Sequence, residues 1–323
     1  MGRSCSPTWT RRWGRSPRLI GVGNIRDRLN DAIFARVAGP QGTVHRDRIH
    51  GTPGPRWFPP GSPIMRVHGD ASMYVGGLRA VLLQTLQPQA MTAVAEHSGY
   101  RGDIWGRLAR TSRFLAVTTF GTAEHAQEAV DVVRAIHERV VGTMPDGTPY
   151  TATDPHLLEW VHIAEIHSFL LSHQRYGARP LDQAGRDEYV AQTAFVARRL
   201  GAVDPPTTEA ELEAALARFR PELTVTEHAR EAVSYLIWHP DLPLPARLPY
   251  GVLVEASIGL MPTWSRKPLG LPMLPLVHDR VAGPLGTAAT RTIRWAMTSD
   301  PSVAARLEAE RERSVPGLGA AGA

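Results

Sequence analysis

The chain has 323 residues, 36 Lys and Arg against 31 Asp and Glu, 43% hydrophobic residues and a single cysteine. This composition belongs to a folded globular protein and excludes collagen-like, disordered and disulfide-stapled classes. With Cys5 alone, no intramolecular disulfide and no cysteine-based zinc site can form, so any metal or cofactor is held by His, Asp, Glu or backbone.

A formal charge of +5 and a pI near 9.8 suggest an anionic partner. The charge is not spread evenly, however. Ten arginines among the first 48 residues face only Asp27, Asp31 and Asp47, which puts that segment at +7 and the rest of the chain at −2. The basic N-terminus carries few interleaved aromatics, Trp9 and Trp13 with Phe34 further on, so no nucleic-acid partner is expected. Arg11-Arg12 resembles the start of a twin-arginine signal, but Arg15, Pro17, Arg18, Gly21, Gly23 and Arg26 break the apolar run that should follow. A cytoplasmic location is therefore expected.

Along the chain, apolar residues recur with the helical period and no alternating strand pattern stands out. The expectation is an all-α protein with one helical domain over 28–312, a basic leader without structural signals over 1–27 and a flexible tail over 313–323. Residues 51–63 hold five prolines and read as a loop. A first helix runs from an Asp70 cap to His97, kinked at Pro88. Its stretch from Leu78 to Ala95 is apolar, but Arg79, Gln84, Gln87 and Gln89 make it a buried helix and not a transmembrane segment. A second helix runs from Asp103 to Thr119. The third starts at a Thr122 cap and stops at Gly142, a natural left-handed residue. The fourth opens with Asp154-Pro155 and ends at Gly177. The fifth spans 182–200, and weaker ones follow at 207–219, 225–238, 249–260 and 283–312, with a proline cluster over 239–245 dividing the last group from the middle.

Two of these helices carry candidate chemistry. On the third, Ala126, Val130, Val133, His137 and Val140 form one apolar stripe, with Glu138 and Arg139 on the opposite face. His137 is then either a core histidine bonded to a carbonyl or a neutral imidazole free to bind a metal, with apolar neighbours packing on a flat cofactor. On the second, Arg107, Arg110, Thr111 and Phe114 share a face. This face either meets solvent or lines a polar pocket holding an anion or a propionate.

The fourth helix carries His156, His162, His167 and His173. Glu159 and His162 have the Glu-x-x-His spacing of di-iron bundles, but the second such pair that a di-iron site needs is missing. Among these histidines, His162 is the one expected to be buried. No Gly-x-Gly-x-x-Gly, Walker-type or Gly-x-Ser-x-Gly motif occurs, which excludes the common nucleotide and hydrolase chemistries.

An ordered set of strings remains: Gly54-Pro-Arg-Trp-Phe58, Val75-Gly-Gly-Leu-Arg79, Met91-Thr-Ala-Val-Ala-Glu-His-Ser-Gly-Tyr100, Gly106-Arg-Leu-Ala-Arg-Thr111, Thr119-Phe-Gly-Thr122, His137 with Gly142, and Trp160-Val-His162. Together, over roughly residues 28 to 270, they resemble the bacterial family of the MpaB oxygenase and the latex-clearing rubber oxygenases. The resemblance implies an all-helical fold with a globin-like core plus additional helices, and one haem b. It makes His137 the axial ligand of the haem iron and Arg107, Arg110 and Thr111 the distal motif. His97 and His162 fall in recurrent family strings, on the cofactor side. Relatives often carry His-Pro where this chain has Gln87-Pro88.

The implied activity is that of an oxygenase using O2 on a small apolar substrate, an alkene or isoprenoid. Two alternatives stand beside it: a non-catalytic haem carrier or sensor, and a non-haem iron enzyme built on Glu159 and His162.

Overall fold

A computed structural model describes residues 22–39, 41–98, 104–271 and 278–298. Cys5, the twin arginines, the Asp103 cap, the tail after 312 and the last part of the expected 283–312 helix lie outside these residues.

The protein is a single all-α domain. Among the described residues there are fourteen α-helices: α1 (Val22–Ala38), α2 (Gly42–Gly51), α3 (Pro63–His68), α4 (Met73–Gln84), α5 (Pro88–His97), α6 (Ile104–Phe120), α7 (Ala123–His137), α8 (Pro155–Tyr176), α9 (Gln183–Leu200), α10 (Glu209–Phe219), α11 (Glu227–Ile237), α12 (Leu244–Gly259), α13 (Thr263–Arg266) and α14 (Gly283–Met297). None is long and apolar enough to cross a membrane.

Side-chain caps start six of these helices. Asp154 accepts a bond from the His156 amide at 2.9 Å with Pro155 at the first helical position, and Asp182 accepts from Gly185 at 2.9 Å. Thr208 and Thr226 cap α10 and α11 in the same way. Gly201 closes α9 at φ +109°, a left-handed conformation that suits glycine.

The centre of the domain is the pair α4 and α8, which pack together along their length. Gly76 makes this possible: a Cβ there would stand 3.2 Å from the Phe169 Cα. Trp160, Ile163 and Phe169 of α8 join Leu82 and Leu83 of α4 in the main apolar cluster. The helices α9 and α10 cover α8, while α12 lies on α4 and carries α14.

Several expectations need correction. The helix expected over 70–97 is two helices separated by a turn at 85–87, because Pro88 starts a new helix instead of bending an old one. Gln87 caps that new start, its side chain accepting from the Ala90 amide at 2.7 Å. Asp70 is not the cap of α4, which Ser72 precedes; its carboxylate accepts from the Ser72 amide and from Arg294. The first helix of the last group begins at Leu244, five residues before the expected start, since Pro245 in its first turn costs no intrahelical bond.

The absence of strands is also overturned. β1 (Val141–Thr143) and β2 (Pro149–Thr151) form an antiparallel hairpin in which Gly142 pairs with Tyr150. Consequently α7 ends at His137, and Gly142 is a strand residue without a left-handed φ. Glycine is required there for space, because a Cβ would run into the Tyr150 ring.

The arginine-rich segment is partly structural. Arg36 of α1 lies 4.3 Å over the Trp105 ring of α6, and Arg48 of α2 bonds Glu128 of α7 at 2.9 Å.

Candidate functional site

The hairpin of α6 and α7 organises the candidate site. Only Gly121 and Thr122 separate the two helices, which pack on each other. The Thr122 hydroxyl oxygen accepts the His125 amide hydrogen and caps α7. His137 is the last residue of α7, about 20 Å along that helix from the join, and Arg107 lies in the first turn of α6.

On α7 the stripe read from the sequence is the inner face: Ala126 and Val130 are buried, and Val133, His137 and Val140 are partly buried. The His137 backbone carbonyl accepts from the Val140 amide, but neither ring nitrogen makes a hydrogen bond, and Nδ1 is buried without a partner. Burial holds the ring below the usual histidine range, so it is neutral at neutral pH. A buried imidazole satisfied by a carbonyl is thereby excluded for His137 among the described residues.

On α6 the Arg107 and Phe114 side chains are partly buried, while Arg110 and Thr111 are exposed. Desolvation and the neighbouring Arg110 cation both lower the pKa of Arg107. The apolar side of the helix, with Leu115, Ala116 and Val117, packs on the core. The arginine stripe is therefore graded, with Arg107 partly buried and Arg110 and Thr111 at the surface.

The β-hairpin is tied to the end of α7, since the Ala152 amide donates to the Val140 carbonyl at 2.9 Å. It presents Tyr150, whose hydroxyl donates to the Glu96 carboxylate and lies 3.2 Å from His97 Nε2. Burial and Glu96 push the Tyr150 phenol up to about 12. Thus His97 is engaged with Tyr150, and no bond among the described residues joins it to His137. Glu96 and Tyr150 were not singled out from the sequence. The Pro145-Asp-Gly147 turn was the one available signal, because it marks a hairpin that has to place the following residues.

His162 lies apart from this group, on the face of α8 toward α9. Its Nε2 is buried without a partner, and burial, aided by Arg198, takes its pKa down to about 4. The most buried histidines of α8 are nevertheless His173, at 2% exposure, and His167, at 8%; His156 is exposed and bonded to Glu222. Glu159 does not join His162, being ion-paired with Arg218 of α10. Among the described residues no three His, Cys, Asp or Glu side chains cluster to hold a metal.

The family model described as the catalytic domain of the ER-bound oxygenase mpaB/B′ and rubber oxygenase matches residues 65–295. The chain belongs to this oxygenase family. The MpaB and rubber-oxygenase region thus begins at α3 and reaches into α14. It includes α6, α7 and the hairpin and leaves Gly54-Pro-Arg-Trp-Phe58 outside. No curated relative and no solved structure matches the chain.

Proposed function

We propose that this MpaB and rubber-oxygenase family member is a haem b-dependent oxygenase that acts with O2 on a small apolar substrate of the alkene or isoprenoid class. The observation that carries the proposal is the His137 ring: neutral, partly buried, and without a hydrogen bond at either nitrogen. These properties fit an imidazole that binds iron.

In this reading His137 holds the haem iron. When bound, the haem supplies the redox chemistry that activates O2. The chain contributes the surroundings. Val130 and Val133 offer apolar contact to a flat ring on the inner face of α7. Arg107 and Arg110 of α6 bring positive charge, and Thr111 adds a hydroxyl that can donate a hydrogen bond where negative charge accumulates on oxygen. Exposed Ile136 and Val132, one turn apart on the neighbouring face, give an apolar approach for the substrate. A cytoplasmic setting is part of the same proposal.

The test is the visible spectrum of the full chain expressed with adequate haem supply. A Soret band in the wild type that is lost in His137→Ala, with the helical content of the variant unchanged, supports the assignment. Full haem occupancy in His137→Ala removes His137 as the ligand.

A further inference from the structure

We propose that a cavity of about 340 Å³, bounded by α4, α8, α10 and α13, binds a small organic monocarboxylate with a short apolar tail. Its volume lies at the lower end of the range of small-molecule pockets. Neither His137 nor Arg107, Arg110 or Thr111 borders it.

Arg79 defines the polar wall. It is 1% exposed, donates from Nε to the Leu260 carbonyl at 2.9 Å and from Nη1 to the Ser168 hydroxyl at 2.6 Å, and leaves Nη2 without a partner. Both acceptors are neutral, and no carboxylate among the described residues pairs with it. Burial lowers its pKa to about 9, which still leaves a cation at neutral pH. Glu213 on the same wall attracts Arg79 electrostatically but makes no hydrogen bond to it, so the desolvated guanidinium is only partly compensated, and an anion in the adjoining cavity adds to that compensation.

His167 marks the same wall. Its Nε2 donates to Glu213 at 3.0 Å, which fixes Nδ1 as an acceptor, and this buried Nδ1 has no partner. A ligand hydroxyl, or a water carried in with the carboxylate, supplies the missing donor. Glu213 also explains the ligand class. It is hydrogen-bonded to His167 and attracts Arg79 without bonding it, and its charge on the cavity wall opposes a dianion such as phosphate. The remaining lining is apolar, with Leu216 and Trp264; Arg220 sits over the Trp264 ring at 5.5 Å on the outer rim. Two cations, Arg79 and Arg220, against the single Glu213 leave one positive charge in excess over an apolar floor, which suits a monoanion with a hydrocarbon tail.

The experiment is calorimetric titration of the full chain with hexanoate, using hexanol and inorganic phosphate as comparisons. Saturable 1:1 binding of hexanoate is expected, with hexanol and phosphate each at least about tenfold weaker. Arg79→Met keeps the bulk of the side chain and removes the charge, so its affinity should fall by at least about tenfold. If Arg79→Met does not fold, the rim variants Trp264→Ala and Arg220→Gln serve instead, each weakening hexanoate by at least about threefold. His137→Ala should bind hexanoate as the wild type does. The proposal is overturned by unsaturable hexanoate binding, by equal binding of hexanol or phosphate, by unchanged affinity in folded Arg79→Met or in both rim variants, or by loss of binding in His137→Ala.

Discussion

Arg294 grips Asp70 through two parallel bonds of 2.9 Å, Nε to Oδ2 and Nη2 to Oδ1, and so joins residues 224 positions apart. The same Nη2 reaches the Tyr176 carbonyl at 2.9 Å, while the Asp70 carboxylate also accepts the Ser72 and Ala178 amides. One fork therefore fastens α14 to the entry of α4 and the exit of α8, the two central helices.

Breaking this fork leaves a largely buried cation without its partner. Asp70→Ala should lower unfolding stability by about 3 kcal/mol, read from urea denaturation. The acid limb should change as well. Burial pulls the Asp70 pKa up, but the bonds from Arg294 and Ser72 outweigh it and hold the carboxyl below the usual aspartate range. The stabilisation is complete above the unfolded aspartate value and fades as pH falls through the lower folded one. Asp70→Ala should therefore lose less stability than the wild type over that acid range.

Closer to neutrality three buried groups compete. His68, bonded to Thr119 at 2.8 Å and facing the Tyr189 hydroxyl at 3.3 Å, is lowered to about 3 by burial and by His173, and His162 to about 4. Both stay neutral in the fold while their unfolded forms charge near 6.5, so each contributes stability that is full above that value and drains away as pH falls. Glu165 works in the other sense. Burial raises it to about 7, so it costs stability as pH climbs from the ordinary 4.5 through 7. Glu165→Gln should then be more stable than the wild type at pH 8, by about 1–2 kcal/mol once partial exposure is allowed for, and should converge with it below pH 4.5. Thermal denaturation at the two pH values checks this; equal melting temperatures at pH 8 contradict it.

Gly142→Ala tests the close packing of Gly142 against Tyr150. The added methyl meets the Tyr150 ring, which cannot yield without disturbing its bond to Glu96. A loss of about 1–3 kcal/mol is expected from overpacking, seen as a lowered melting temperature. Gly147→Ala, also in the hairpin turn but with open space beside it, separates strain at its positive φ from this collision.

On the proposed haem-oxygenase reading, Arg107→Ala and Thr111→Ala should retain haem and lower the O2-dependent turnover of an apolar alkene by about tenfold or more. Product analysis under air against nitrogen measures it. Turnover equal to wild type in both variants removes these residues from the reaction.

Much of the architecture can be read from local chemistry. Asp154-Pro155, Asp182 with Gly201, and Thr226 state where α8, α9 and α11 begin or end, because cap and breaker act within a few residues. The inward direction of His137 was equally legible from its stripe. Its lack of any hydrogen-bond partner was not, since that depends on which residues from other segments stand opposite. The bonds from Tyr150 to Glu96 and His97 span more than 50 residues and have no local trace. Helices α1 and α2 escaped for another reason: their arginines look like solvated charge until Trp105 and Glu128, far along the chain, are seen to receive them.

The tight join between α6 and α7 makes the second helix a lever. Its fifteen residues span about 22 Å, so each degree of rotation at Gly121 moves His137 by about 0.4 Å. A bound cofactor tolerates misplacement of its ligand by roughly that amount. Gly121 is crowded against the Val117 carbonyl, where a Cβ would stand at 2.6 Å. The smallest possible substitution at this remote corner is thus a fine adjustment of His137, the ligand in the proposed haem reading, made at the opposite end of α7 from the ring it moves.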